Sequence, residues 1–499
     1  MEAGTNPEVL IAGAGPVGLM AACELVRYGL TVRIVDKTAE PTDKSKALVV
    51  WPRTLEHLDR MGIAGRFLAA GLKATEAHFF QVGKLIASIP LDTVETPFPF
   101  GLMIPQSETE CLLIERLGEL GVAVERPVTV TALADGTVTL AKADGSTERV
   151  TPRWIIGADG AHSTLRHAIG ASFEGTTLAS DWVLADFHQA GPVPVDTVEL
   201  HFHKDGILAL FPIPPDRVRV IANINSHGAA DDPAPHDPTM AEIQQLMDTR
   251  DGRGMQTGTP VWLSAFHINE RKVVDFRAGN VFLMGDAAHI HSPAGGQGMN
   301  TGMQDAVNLA WKLALVHHGL VSPGGGETLL NSYTAERSPV ARQVLRGAGL
   351  LTEIGTLGNP VLRGLRNTLM HFATGFETVQ HAFAETVTEL AIAYPETPLN
   401  SAQKPMKGGP KPGERAPVST SPVSAGDRPQ YVLYAKPGPN AKTLIDCYSA
   451  LFEPTERPPF AEGGVWIVRP DGYVGFAGDS DSWAAADRYL GSLVWPQAG

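Results

Sequence analysis

The residues most suited to chemistry open the chain: Gly13-Ala14-Gly15-Pro16-Val17-Gly18 places three glycines at the spacing of a phosphate-binding turn. Without side chains at those points, backbone N–H groups come close to a pyrophosphate, and the dipole of the following helix meets its charge. Asp36, with Lys37 beside it, ends the next β-branched segment and is placed to accept hydrogen bonds from a ribose. This arrangement binds a dinucleotide, and by itself it does not choose between FAD and NAD.

Two later runs narrow the choice. Ile155-Ile156-Gly157-Ala158-Asp159-Gly160, followed by Arg166, reads as a strand entering a tight turn before a helix. Gly279 to Gly285 reads as another strand, ending in the acid Asp286. It leads into Pro293-Ala294-Gly295-Gly296-Gln297-Gly298-Met299-Asn300 at the start of a helix. A glycine-rich run opening a helix offers free N–H groups and a positive dipole end, which suit the negative charge of a reduced isoalloxazine ring.

Those residues need elements to hold them. Glu8 to Ala12 reads as a strand, Pro16 to Tyr28 as a helix stopped by Gly29, and Thr31 to Asp36 as a second strand, a βαβ unit of a parallel sheet. A helix over Gln106 to Leu120 and alternating strands up to Val150 follow. Between Phe173 and Lys272, segments such as Thr197 to Phe202, Ile207 to Phe211 and Arg217 to Asn223 alternate at strand period, which predicts a largely antiparallel inserted sheet. Met299 to about Tyr394 is helical in pattern. Lys404 to Pro429 is rich in Pro, Gly and Ser and reads as a linker or extended wrap. The remainder reads as a small α/β module, with strands near Tyr431 to Tyr434 and Gly464 to Val468 and a helix after Ser482. The chain shows no internal repeat.

Composition excludes several classes. A chain of 499 residues is too long for one core, and a net charge of −14 with no basic stripe argues against nucleic acid. Cys23, Cys111 and Cys447 are far apart and give neither a disulfide framework nor a zinc spacing, so no metal is expected and a reducing compartment is. No stretch reaches the roughly 18 apolar residues of a membrane span, and the start lacks a signal-peptide pattern. A cytoplasmic location is the expectation.

The combination of fingerprint, DG turn (Asp159-Gly160) and GD run (Gly285-Asp286), in this order, resembles the single-component flavin-dependent aromatic hydroxylases, the family of para-hydroxybenzoate hydroxylase and phenol hydroxylase. The run from Gly285 to Lys312 follows the family pattern almost throughout, as do Pro52 to Glu56, Gln106 with Glu110, and Tyr333, Glu336, Arg337 and Pro339. The resemblance implies an α/β fold: a Rossmann-like FAD-binding domain in two parts (1–172 and 273–395), an inserted sheet for substrate (173–272), and a linker with a small C-terminal thioredoxin-like domain (396–499). The last is marked by Val465 to Gly475 and lacks Cys-X-X-Cys, so packing or oligomer contact, a homodimer included, is its expected use.

The same resemblance implies site roles. Gly13, Gly15, Gly18 and Asp36, with Lys37, would hold the ADP half of FAD; Gln106 the diphosphate–ribityl region; Asp159 the DG turn; Asp286 the ribityl chain. Pro293, Gly295, Gly296, Gly298, Met299 and Asn300 would border the flavin ring, the first three forming the catalytic surroundings. Lys46 stands where relatives often carry arginine, keeping the charge without the bidentate fork. NADPH or NADH would reduce the flavin and leave, O2 would add to give a C4a-hydroperoxide, and an electron-rich ring would attack its distal oxygen. For the substrate wall we nominate Trp51, Phe202, Leu208, Leu210, Phe211 and Pro212. His188, His201, His203 and His267 are weighed as bases for a phenol, and His289 as structural. The expected reaction is hydroxylation of a phenolic or polyketide-like aromatic. Baeyer–Villiger or epoxidising oxygen insertion and a non-oxygenating flavin reductase are the alternatives; the Trp-X-Trp motif of flavin halogenases is absent.

Overall fold

The computed structural model describes residues 7–43, 45–189, 196–224, 236–293, 295–355, 376–417 and 422–494. Ala294 of the glycine-rich run, 356–375 of the helical stretch and 418–421 of the linker stretch lie outside the described residues.

The first sheet follows from the apolar strands that surround the fingerprint. Its order is Arg277–Ala278, Val281–Leu283, Trp154–Gly157, Val9–Ala12 and Val32–Val35. The last four run parallel. Each of the three motif turns therefore leaves the carboxyl end of a neighbouring strand, the edge at which parallel α/β sheets bind ligands. Helix α1 (Pro16–Arg27) starts with proline in its first turn and ends before Gly29, whose φ of +85° turns the chain back. Helices α2 (Pro52–Arg60), α3 (Ala64–Ala70), α4 (Gln106–Glu119) and α5 (Thr164–Ala168) complete this half of the layer. Strands Val128–Ala134, Thr137–Lys142 and Thr147–Val150 form a small antiparallel sheet beside it. Val49–Val50 and Leu72–Ala74 pair with Gly101–Met103 in another.

An eight-stranded sheet roofs this layer. Its order is His289–Ile290, Thr257–Lys272, Glu174–Gln189, Arg217–Ile224, Gly206–Ile213, Thr197–His203, Glu76–Gln81 and Lys84–Pro90. All neighbours are antiparallel except Thr197–His203 with Glu76–Gln81. The sheet is thus wider than the 173–272 stretch that the strand periodicity marks, because a hairpin at 76–90 and a two-residue strand in the GD loop join its edges. Alternation gives it two faces. Val183, Ala185, Leu208, Leu210, Val218, Val220 and Ala222 pack under α6 (Met240–Arg250) with Ile243 and Met247. Trp182, Phe202, Ile207, Leu200 and Phe211 lie on the opposite face.

Helix α7 (Gly298–His317) runs through the middle of the molecule and is buried on nearly every side, packed against α1 and α8 (Pro323–Gly355). After 376, α9 (Glu377–Val387) crosses beneath the roof sheet, where Phe383 meets Phe79 edge to face at 6.0 Å. The C-terminal module carries Val432–Tyr434, Gly464–Val468 and Val474–Asp479 in antiparallel order, with α10 (Pro439–Cys447) and α11 (Trp483–Gly491). Parallel bridges Tyr431–Phe452 and Tyr434–Arg457 add a further extended segment on its free side. The Pro/Gly-rich stretch wraps the module: Ala416 N–H bonds Gly472 O, Gly413 N–H bonds Val474 O, and the Trp466 indole bonds Pro410 O. Among the described residues no helix is long and apolar enough to cross a membrane.

Candidate active site

The fingerprint glycines do three different things. A Cβ on Gly13 (φ +99°) would lie 2.2 Å from the Ala158 carbonyl oxygen, so the first turn presses against the DG turn. A Cβ on Gly18 would lie 2.0 Å from Gly13 O, so this glycine lets helix and strand close up. A Cβ on Gly15 would meet no atom of the described residues within 4 Å, which leaves the start of α1 open on the cleft side. Asp36 accepts from Ala14 N–H (2.7 Å) and from Thr38 N–H and Oγ1 (2.8 and 2.6 Å), and pairs with Arg126 at 3.1 Å. Burial pushes its pKa up, but the Thr38 and Ala14 hydrogen bonds and the Arg126 charge outweigh that and hold it below the usual range. Lys37 is exposed next to it.

The DG and GD turns sit beside this fingerprint. Asp159 caps α5, its Oδ2 accepting from Thr164 and Leu165 N–H (2.8 and 3.3 Å), while its buried Oδ1 has no partner among the described residues. Asp286 is reached by solvent yet recessed in the cleft, and the partial loss of water raises its pKa against the opposing charges of His289 and Lys46. The loop Ser45–Ala47 is held from two sides. Gln106 takes Ala47 N–H on its Oε1 (3.1 Å), and Arg219 donates to the carbonyls of Ser45 and Lys46 while paired with Asp186 at 2.7 Å. Lys46 itself is exposed.

At the start of α7, Gly295 and Gly296 have φ of +89° and +63°, and Gly296 N–H bonds Pro293 O at 2.9 Å. Trp51 is fastened to this turn: its indole donates to Gly295 O at 3.0 Å and its N–H to Asn300 Oδ1 at 2.8 Å. Asn300 returns two bonds, to Val49 O (2.9 Å) and Gly296 O (3.0 Å), so its whole amide staples the turn to the strand at 49–50. Gly298 begins the helix against the His291 ring, and Met299 packs into the core. Burial lowers the His291 pKa to about 4; its Nδ1–H donates to Ser292 O, so the imidazole is neutral at physiological pH. His289 lies below, buried at 2.8 Å from Asp305, which also takes Gly285 N–H and the Arg337 Nε–H at 2.6 Å.

The nominated substrate wall divides. Phe211 clusters with Trp51, Met103 and Ile213, and Phe202 with Phe79, Trp182 and Phe383, on the face toward the turn. Leu208 and Leu210 face the other way into the core under α6, and Pro212 shares their side by alternation, opposite Val218 of that core. These three are removed from the wall. The strand period was legible, but the face on which each residue falls depends on where α6 packs. The histidines are also accounted for. His201 is buried between Glu199 and Asp251 and stacked on Phe80, and His267 pairs with Asp181, both on the α6 side. His188 pairs with Asp216 at an exposed rim, and His203 sits beside Asp205.

Sequence reasoning missed Arg126, Asp305, the Asp186–Arg219 pair and α9. The pair had a signal: Asp186 and Arg219 interrupt apolar strands (Val183-Leu184-Ala185 and Val218, Val220), and charges inside such runs are buried in pairs.

The cleft fits a dinucleotide. Among the described residues neither α1 nor α7 has a side-chain cap at its start, so their first N–H groups are open to an anionic or carbonyl ligand, and Asp159 Oδ1 is a dry acceptor that meets no donor. A model of the FAD binding domain family matches residues 6–348. The chain is 33% identical over 520 residues, 95% of its own length and 91% of the other, to a 6-methylpretetramide 4-monooxygenase of Streptomyces rimosus. It belongs to the FAD-dependent aromatic hydroxylases. A rifampicin monooxygenase of Rhodococcus hoagii is 35% identical over 398 residues, covering 78% of this chain and 79% of that one. The solved anhydrotetracycline hydroxylase of Streptomyces rimosus superposes with a TM-score of 0.80 at 30% identity, over 99% of this chain and 100% of that one. This aromatic hydroxylase is therefore a monooxygenase that uses FAD and NAD(P)H, with the α/β FAD-binding layer and inserted antiparallel sheet of its family.

Proposed function

We propose that this enzyme hydroxylates a flat, fused-ring phenol of polyketide type. One observation carries the reading: an aromatic and aliphatic wall (Phe211, Leu200, Phe79, Phe202) runs unbroken from Trp51 at the glycine turn, with Phe383 of α9 facing it. Two relatives, named for 6-methylpretetramide and for anhydrotetracycline, support it.

In this reading Gly13, Gly15 and Gly18 let the start of α1 meet the diphosphate, with Asp36, Lys37 and Arg126 at the adenosine end. Gln106 and Arg219 hold the loop that carries Lys46. Asp159 Oδ1 and Asp286 take hydroxyls of the ribityl chain. Pro293, Gly295, Gly296, Gly298 and Met299 shape the seat of the ring, and Asn300 and Trp51 position that seat. FAD, when bound, takes two electrons from NAD(P)H and activates O2 for transfer of one oxygen atom. The chain binds and orients the phenol over that seat, and the apolar wall excludes water that would divert the reaction to hydrogen peroxide. The C-terminal module is read as thioredoxin-like on the strength of its strand order. With Cys447 alone and exposed, it packs rather than exchanges thiols.

The test is product structure. Incubation with NAD(P)H, O2 and a panel of single-ring and fused-ring phenols should give ring-hydroxylated products by NMR, with fused-ring members preferred. Lactones or epoxides would replace hydroxylation by another oxygen insertion, and a preference for single rings would overturn the substrate class.

A further inference from the structure

On the roof face that looks toward the glycine turn lies a buried indole, that of Trp182. Trp182 is 4% exposed and packs among Phe79, Phe202, Ile207, Ile268, Phe266 and Phe383. Its indole N–H has no hydrogen-bond partner among the described residues. Buried indole donors are nearly always paired, because a dry N–H loses its water without return. The polar neighbour directly across, Asn223, is already committed: its Oδ1 takes Ile207 N–H at 2.6 Å and an Arg250 N–H at 3.3 Å.

Position says what the donor is for. Trp182 lies on the same strand and face as Asp186, whose partner Arg219 pins the Ser45–Lys46 loop and stands beside Phe211. Asp186 lies four positions on from Trp182, about 13 Å along a strand. Leu200 touches both apolar clusters, so the wall between the two ends is continuous. A single phenol ring is shorter than that span, whereas a fused system of three or more rings matches it.

We propose that Trp182 is the specificity-determining donor at the distal end of the substrate chamber, its indole N–H bonding an oxygen on the ring farthest from the one hydroxylated. The substrate class is then an elongated fused-ring aromatic with an acceptor oxygen at its far end. This rests on the aromatic-hydroxylase reading and adds to it the polar group that the substrate must carry.

Binding to the oxidised holoprotein, read from the visible spectrum of the flavin, tests this without turnover. The ligands are an anthracenediol with one hydroxyl on each terminal ring, its far-end methyl ether, the matching anthracenol without the far oxygen, and phenol. Wild type should bind the diol and the ether about five- to tenfold more tightly than the anthracenol, the worth of one neutral hydrogen bond. Trp182→Phe should erase that advantage, so that the diol and the ether bind no more tightly than the anthracenol. Equal wild-type affinity for diol and anthracenol overturns the proposal even if the variant does not fold, and so does an equal loss for both ligands in a folded variant. Hydroxylation of phenol with NAD(P)H alongside either result leaves the hydroxylase reading standing. Absence of any hydroxylation would bring down both.

Discussion

At the scale of single residues, the fingerprint glycines divide into those the fold needs and one the ligand needs. Gly15→Ala should fold with an unchanged melting temperature, since its backbone (φ −75°) suits alanine and the added methyl meets no atom of the described residues. It should nonetheless lose FAD affinity by tenfold or so, roughly 1.4 kcal/mol, measured by fluorescence titration of the apoprotein. Gly18→Ala should melt earlier even without FAD, because its methyl strikes Gly13 O. Equal melting temperatures for the two apo variants would refute this division. Glu389 gives a pH test. It is fully buried at φ +63°, accepting from Thr301 Oγ1 at 2.7 Å and from Gln304, and burial raises its pKa from 4.5 to about 8. Between those values the folded chain holds a proton that the unfolded chain has released, so stability falls as pH rises across that window. Glu389→Gln should remove that part of the slope in melting temperature against pH. Parallel wild-type and variant curves would contradict it.

At the scale of elements, the two faces of the roof sheet make opposite predictions. Leu208→Ala should cost about 2–5 kcal/mol in denaturant unfolding, as a cavity under α6, and leave phenol binding unchanged. Phe211→Ala should weaken phenol binding several-fold with a smaller loss of stability, since it is only half buried. Reversed results would mean that the chamber lies on the α6 side. This is also where the sequence ran out. The βαβ unit, the DG turn and the GD run were readable because each concentrates its signal in adjacent residues such as Gly13 to Gly18 or Gly285 to Asn300. The role of Leu208 was not, because a strand alternates identically whichever face is packed. The hairpin at 76–90 joins the roof through pairing with Thr197–His203, a long-range contact that leaves no local pattern. Helix α9 was absorbed into one long helical stretch, and its place opposite Phe79 is likewise tertiary.

At the scale of the whole molecule, the C-terminal module is bolted to the FAD layer by buried charge. Arg469 bonds Glu336 through both amino groups (2.7 and 3.1 Å) and Asp471; Lys312 of α7 meets the same glutamate at 2.7 Å. Trp311 and Arg53 reach Asp471 from the other side. Burial pushes Glu336 up, but Arg469 and Lys312 outweigh it and hold it ionised, while burial lowers Lys312 to about 8. Arg469→Ala would leave this cluster unbalanced and should cost about 3–5 kcal/mol, seen as a lower denaturant midpoint. Since α7 also starts at the glycine turn, the variant should bind FAD more weakly as well; a loss of neither would show the module to be a passenger. The central claim, that this assembly seats a flavin and shields its reaction with oxygen beside a phenol, is tested most directly by rapid mixing. Anaerobically reduced holoprotein with a fused-ring phenol bound is mixed with O2 and followed by absorbance. We predict a transient near-ultraviolet band distinct from oxidised flavin, followed by hydroxylated product. Direct return to oxidised flavin with stoichiometric hydrogen peroxide and no product would contradict the account.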